Sequence, residues 1–269
     1  MSLKLGAAMT FILLLSSLMQ GCVSSGPVTA ASQNRGDVVT ESDEPPERRR
    51  ARLRLELAAG YFEQGQTNVA LDEIKQSLIT DPSFIDAYNM RGLVYMRLNN
   101  ASLAEESFQK ALSLNPRDPD VAHNYGYLLC QQGRYDNAFR LFAQAASNPA
   151  YKGKAKTLMT QGVCQARAGK LRDAEVSLTQ SFELDAGNPA TAYNLANLLY
   201  QRDDLVRAQF YIRRLNNSEQ ANAETLWLGI KTERKMNNRE SVRQLGDQLK
   251  KRFSDSSQAA LYDKGAFHE

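Results

Sequence analysis

The stretch NYGYLLCQQGRYDNAFRLF, residues 124–142, carries the pattern that decides the fold. Gly126 is followed twelve positions later by Ala138, and the apolar Phe142 comes four positions after that. Two helices pack closely where each has a small residue, so this spacing marks the crossing point of a helical hairpin. Gly133, between the two, is the residue type that ends a helix and turns the chain. The stretch therefore predicts two helices joined by a short turn.

The same pattern recurs along the chain at nearly constant intervals. Successive small residues of the first helix are 34, 34, 36, 34 and 33 positions apart, and those of the second helix keep the same steps. The first series is Ala58, Gly92, Gly126, Gly162, Ala196 and Gly229, and the second is Ala70, Ala104, Ala138, Ala174, Ala208 and Ser241. An apolar residue follows each member of the second series after four positions. Repetition with this period indicates one hairpin repeated six times.

The positions between the two helices of each unit hold residues that favour turns, and we expect each of them to end a first helix. They are Gly65, Gly133 and Gly169, with Asn99, Asp203 and Asn237 at the equivalent places. Proline cannot continue a helix, and it lies near three unit ends, at Pro82, Pro116 and Pro149. No stretch alternates apolar and polar residues with a period of two, so the prediction is all-α.

This pattern resembles the tetratricopeptide repeat. The resemblance implies an all-α, right-handed superhelix, or solenoid, of about six helical hairpins over residues 51–255. The units are expected near residues 51–84, 85–118, 119–152, 155–188, 189–222 and 222–255. Residues 256–269 are predicted to form a polar C-terminal tail.

The N-terminal residues predict a targeting signal. The run LGAAMTFILLLSSLM, residues 5–19, has the length of a secretory hydrophobic region and is too short to span a bilayer. Gly21 and Cys22 follow, and this arrangement resembles the lipobox of bacterial lipoproteins. The resemblance implies removal of residues 1–21 and acylation of Cys22, and Val23 after the cysteine implies sorting to the outer membrane. The alternative is an ordinary signal peptide with a lone cysteine at its end.

Residues 22–50 predict a flexible tether between this lipid anchor and the repeats. The segment contains Ser, Thr, Gly, Pro and charged residues with few large apolar side chains, so it cannot bury enough surface to offset chain entropy. The arginines at its end favour the solvated start of the first helix over a site for anionic partners. They are Arg48, Arg49, Arg50, Arg52 and Arg54.

The composition argues against several classes of function. The 269-residue chain has 33 Lys and Arg against 30 Asp and Glu, and this near balance excludes a strongly electrostatic nucleic-acid binder. Its two histidines, His123 and His268, are too few for a histidine metal site, and the sequence lacks HExxH, GxSxG and GxxxxGK[ST] motifs. We therefore expect no enzyme activity, no metal, no cofactor and no small-molecule substrate.

The concave face of such a solenoid is lined by the first helix of each unit and commonly binds peptides. In the repeat family the groove positions are the second, fifth, ninth, twelfth and thirteenth of each unit. The residues predicted here are Asn89, Leu93, Met96, Arg97, His123, Tyr127, Cys130, Gln131, Met159, Val163, Tyr193, Asn197 and Tyr200. Tyrosine and methionine are frequent at protein interfaces, so these positions favour protein binding. Packing between repeats is the alternative role for the same side chains.

Two features near the groove set further expectations. Cys130 and Cys164 lie on neighbouring first helices, where a disulfide is conceivable, but their different helical phases favour free thiols. Some repeat domains grip a C-terminal carboxylate with paired Lys, Asn and Arg residues. Here other residues occupy those places, which disfavours an adaptor for chaperone tails; they are Leu55, Ala59, Asp120 and Asn124.

The lipobox, the tether and six units together resemble the type IV pilus pilotin lipoproteins of Gram-negative bacteria. Both LRLELAAGYFEQGQTNVALDEI, residues 53–74, and the opening stretch resemble this family's version of the repeat. The resemblance implies a protein that binds pilus secretin subunits and promotes their localisation and multimerisation in the outer membrane, and so supports pilus assembly and twitching motility. A lipoprotein that scaffolds or regulates cell-wall enzymes is the alternative.

Overall fold

The computed structural model describes residues 43–267, and every regular element within that range is an α-helix, as predicted. From Glu44 onward the chain forms one compact unit. The predicted signal, Cys22, most of the tether and His268 lie outside the described residues. None of the helices in the described range has the length and apolar character needed to cross a membrane.

Twelve of the thirteen helices in this range form six hairpins. The first helices of the hairpins are α1 Pro46–Glu63, α3 Ile85–Arg97, α5 Pro119–Gln131, α7 Lys154–Arg167, α9 Pro189–Gln201 and α11 Ala223–Lys235. The second helices are α2 Thr67–Thr80, α4 Ala101–Leu114, α6 Tyr135–Ser147, α8 Leu171–Leu184, α10 Leu205–Asn216 and α12 Arg239–Arg252, and α13 Ser257–Lys264 follows. Each first helix contacts the next one along the chain, so these helices line one face of a solenoid.

The hairpin crossings confirm the role predicted for the small residues. A Cβ atom added to Gly126 would lie 2.9 Å from the ring of Phe142, which is fully buried. Gly92 meets the ring of Phe108 in the same way. Because large apolar side chains on the second helices fill the space that a Cβ would need, glycine at these crossings is a packing requirement.

The turns and helix ends also agree with the sequence. Positive φ angles occur at all six predicted turn residues, from 56° at Asn99 to 77° at Gly65. Only glycine adopts this conformation without strain, and asparagine and aspartate tolerate it better than other residues. The second helices end two residues before each proline, at Thr80, Leu114 and Ser147.

The N-terminal boundary differs from the prediction, because α1 begins at Pro46 rather than Ala51. Proline fits the first helical position, where its missing N–H would have no partner within the helix. Arg48 forms an ion pair with Asp81, and its guanidinium lies 4.7 Å from the ring centre of Phe84. The end of the predicted tether is therefore helical. Arg48 packs against the end of the first unit, whereas Arg49 and Arg50 are exposed, as expected for a solvated helix start.

The C-terminal boundary also differs, since most of the predicted polar tail forms α13 and closes the end of the solenoid. Ala259 is 2% exposed, and the ring of Phe267 stacks on Trp227 with centroids 5.5 Å apart. Tyr262 lies over Gly246, where a side chain would collide with it. These apolar residues cover the last hairpin, which would otherwise expose its core to solvent.

Candidate binding groove

A concavity of about 520 Å³ lies on the face formed by the first helices α3, α5, α7 and α9. Six of the predicted groove residues line it together, although they come from three different repeats. They are Leu93, His123, Tyr127, Cys130, Met159 and Val163. Volumes of this size are typical of clefts that bind a ligand or a short peptide segment.

A disulfide between Cys130 and Cys164 forms part of the wall, so the preference for free thiols was wrong. The two Cα atoms are 5.9 Å apart, and both side chains are buried. Residues on two neighbouring helices can bond only when each lies on the side of its own helix that faces the other helix. Those two sides correspond to different helical phases. The difference in phase, taken as evidence against a bond, is therefore what a bond requires here.

His123 is a buried packing residue rather than a charged group. It is 5% exposed, and its Nδ1 atom lies 2.9 Å from the hydroxyl oxygen of Thr157, which is fully buried. Burial, with a smaller effect from the Lys156 ammonium, lowers the pKa of His123 to about 4. The imidazole is therefore neutral near pH 7 and adds no charge to the concavity.

Two cations line the concavity that the sequence analysis did not select. Lys156 and Arg167 both project from α7, and both side chains are exposed. They occupy the second and thirteenth positions of unit four, so the same repeat register that selected Met159 and Val163 contains the signal for them. The other residues that the sequence analysis missed here are Asn124, Thr160, Cys164 and Asn194.

Seven predicted residues do not line this concavity, namely Asn89, Met96, Arg97, Gln131, Tyr193, Asn197 and Tyr200. Arg97 stacks over the ring of Phe62 at 3.7 Å and donates to its carbonyl oxygen, which joins α3 to α1. Tyr193 packs half-buried against an apolar cluster of units five and six. For these two residues the alternative role in packing between repeats describes the observed contacts.

A second apolar surface lies at the N-terminal end of the solenoid. Leu53 and Leu57, one turn apart on α1, are each 51% exposed beside a concavity of about 310 Å³. No earlier hairpin in the described residues covers this side of α1, whereas α13 covers the opposite end. The two leucines therefore form a candidate contact surface separate from the groove.

Within residues 43–267, no group of three or more His, Cys, Asp or Glu side chains is placed so that it could hold a metal ion. Glu105 on α4 accepts hydrogen bonds from Tyr125 and Arg134 at 2.6 and 2.7 Å. These contacts join units two and three and give the carboxylate a structural role.

Comparison with known proteins agrees with this architecture. Models of the tetratricopeptide repeat match residues 85–118, 107–140 and 165–227. The type IV pilus assembly protein PilF of Pseudomonas aeruginosa is 28% identical over 250 residues, which cover 93% of this chain and 94% of PilF. An uncharacterized protein of Haemophilus influenzae is 26% identical over 144 residues, covering 54% of this chain and 80% of that protein.

Two solved structures extend the likeness to three dimensions. The structure of Pseudomonas aeruginosa PilF matches with a TM-score of 0.73 and 26% identity, over 82% of this chain and all of the solved one. PilW, described as a widely conserved type IV pilus biogenesis factor, matches with a TM-score of 0.72 and 25% identity, over 78% of this chain and 96% of its own. The chain therefore contains tetratricopeptide repeats and is similar to PilF along almost its full length.

Proposed function

We propose that this protein is an outer-membrane lipoprotein of type IV pilus biogenesis that binds the pilus secretin and promotes its localisation and multimerisation. The observation that carries the proposal is the similarity to a type IV pilus assembly protein over 93% of this chain and 94% of that protein. The match to PilW, a pilus biogenesis factor, supports the same process. The secretin as partner rests on the resemblance to pilotins.

The groove offers binding chemistry rather than catalysis. Its apolar floor, amide side chains and two cations suit a protein segment. The hydroxyl of Thr157 lies close enough to the imidazole of His123 to resemble a nucleophile and its base. Both side chains are buried, however, and Thr157 has no exposed surface. A substrate therefore has no access to that pair.

The lipid anchor at Cys22 supplies the means of delivery in this proposal. Several acyl chains hold a protein on a membrane far more stably than one chain does. The chain's formal charge of +3 is too small for electrostatic attraction to anionic lipids to take that role. A client bound to the repeats would then be held at the outer membrane with them.

The test is an immunoblot of the pilus secretin in outer membranes, run without boiling, in strains with and without the gene. We expect the multimer band to disappear in the deletion strain while monomer persists, and twitching to be lost. An unchanged multimer would contradict the proposal, and altered cell shape or lysis with intact pili would support a cell-wall scaffold instead.

A Cys22→Ala variant tests the anchor separately. It should fold and accumulate without a lipid anchor, yet fail to restore the secretin multimer in the deletion strain. Restoration at the level of the unaltered protein would refute delivery by the anchor while leaving secretin binding in place.

A further inference from the structure

We propose that the concavity on α3, α5, α7 and α9 binds an extended segment of a client protein with two acidic side chains flanking apolar ones, the carboxylates pairing with Lys156 and Arg167. The proposal rests on the proposed function for the identity of the client. The chemistry of the site rests on the arrangement of the lining residues.

The two cations are arranged as a pair on one helix face. Lys156 and Arg167 are eleven residues apart on α7, which is three helical turns, so they project on nearly the same side. At about 1.5 Å per residue, their Cα atoms are separated by about 16 Å along the helix axis. Thr160 and Val163 lie between them on the same face and also line the concavity.

Neither cation has an acidic partner within the part of the chain that the structure describes. The residues of the described range that line the concavity include no aspartate or glutamate. Other arginines differ, since Arg202 at the end of α9 and Arg207 on α10 both pair with Glu175. The groove therefore presents positive charge that an incoming carboxylate would complement, and electrostatic complementarity of this kind selects partners.

The surface between the cations is apolar. Tyr127 is 39% exposed, and it adjoins Met159, Val163 and Leu93 around the disulfide. Tyrosine and methionine offer large contact area with adaptable edges, which is the chemistry enriched at protein interfaces. Apolar side chains of the client between its two carboxylates would be buried here.

An extended segment spans the distance between the two cations with few residues. An extended chain rises about 3.3 Å per residue and covers 16 Å in about five residues. The amides of Asn124 and Asn194 line the same cavity and can bond the unpaired main chain of such a segment.

The test measures peptide binding to the purified full-length protein in detergent by fluorescence anisotropy. Three sets of labelled, end-capped octapeptides share the same varied apolar residues and differ at two positions five residues apart, which are Asp, Asn or Lys. We expect the Asp set to bind at least about tenfold more tightly than the Asn set and the Lys set to bind least.

Charge-reversal variants then assign the effect to the two cations. Lys156→Glu and Arg167→Glu should each weaken binding of the Asp set by about tenfold. Lys110→Glu and Arg172→Glu are matched controls, because they make the same charge change at exposed positions on second helices. These controls should leave binding unchanged, and thermal melts of all four variants should match that of the unaltered protein.

The proposal would be overturned by any of three results. These are equal binding of the Asp and Asn sets, no binding of any set, or full binding of the Asp set by the Lys156→Glu/Arg167→Glu variant. The unheated secretin immunoblot separates its failure from that of the proposed function. Secretin multimers that need the gene, without any preference for acidic peptides, would overturn the acidic site and keep the secretin role. A preference for acidic peptides that depends on Lys156 and Arg167, together with a secretin multimer that persists when the gene is deleted, would support the site and refute the secretin role.

Discussion

Removing the Cys130–Cys164 disulfide should lower the free energy of unfolding by about 4 kcal/mol. The bond joins residues 34 positions apart. In the chain-entropy description a cross-link restricts the unfolded chain and so raises the free energy of unfolding. The increase is about 3 kcal/mol for a 15-residue loop and about 4.7 kcal/mol for a 100-residue loop. A loop of this length lies between those values. The bond also joins α5 to α7 across the boundary of units three and four, so its loss weakens the middle of the solenoid.

The assay is thermal and urea unfolding of the Cys130→Ala/Cys164→Ala variant against the unaltered protein. At about 2–4 °C per kcal/mol for a domain of this size, the midpoint should fall by about 8–16 °C. Alanine suits both buried positions because serine would place an unpaired hydroxyl there. Circular dichroism should show an unchanged helix content at low temperature.

Reductant provides the matched control for this variant. It should destabilise the unaltered protein by a similar amount once the bond is reduced and have no effect on the double-alanine protein. A loss below about 1 kcal/mol in the variant would refute the chain-entropy reasoning. It would mean that residual structure already restricts the unfolded chain without the bond.

Three further predictions follow from single residues. Because the pKa of His123 is about 4 in the folded protein and about 6.5 in the unfolded chain, the neutral imidazole contributes fully to stability above about pH 6.5, and up to about 3 kcal/mol of this contribution is lost as the pH falls towards 4. Urea unfolding across this pH range should show a smaller loss of stability in His123→Gln than in the unaltered protein, and equal losses would contradict the prediction. Gly126→Ala should cost about 1–3 kcal/mol because its Cβ meets the Phe142 ring, whereas Gly60→Ala, whose Cβ meets nothing within 4 Å, should be neutral or stabilising in the same melts. Tyr127→Ala should weaken client binding with little change in the melting temperature, and a large stability loss would instead make Tyr127 a packing residue.

The hairpin repeat could be predicted because its determinants are local. Gly126 and Phe142 are sixteen residues apart and lie on the two helices of one hairpin, so their contact is set by helix geometry and a short turn. Gly133 and Asn99 take positive φ for equally local reasons. Regularity over six units made each such position visible several times in one chain.

The ends of the repeat array were harder to predict because terminal residues leave the repeat register. Pro46 and Arg48 precede the first recurring position, and they were assigned to the tether on composition alone. The apolar residues of the polar C-terminal segment are few, namely Ala259, Tyr262 and Phe267. Their spacing indicates a packed helix only when the face of the last hairpin that they cover is known. Burial of that face, rather than local preference, makes α13 part of the fold.

The sequence by itself determined the helical hairpins, their period, their turns and the general register of the groove. Only the tertiary structure decided which groove residues meet. The connection between α6 and α7 is longer by two residues than those between α2 and α3, α4 and α5, and α8 and α9, and the relative rotation of α5 and α7 depends on how those helices pack across it. That packing brings Cys130 to Cys164 and places Lys156 and Arg167 beside Tyr127, because contacts between repeats depend on stacking geometry and not on the spacing within one repeat.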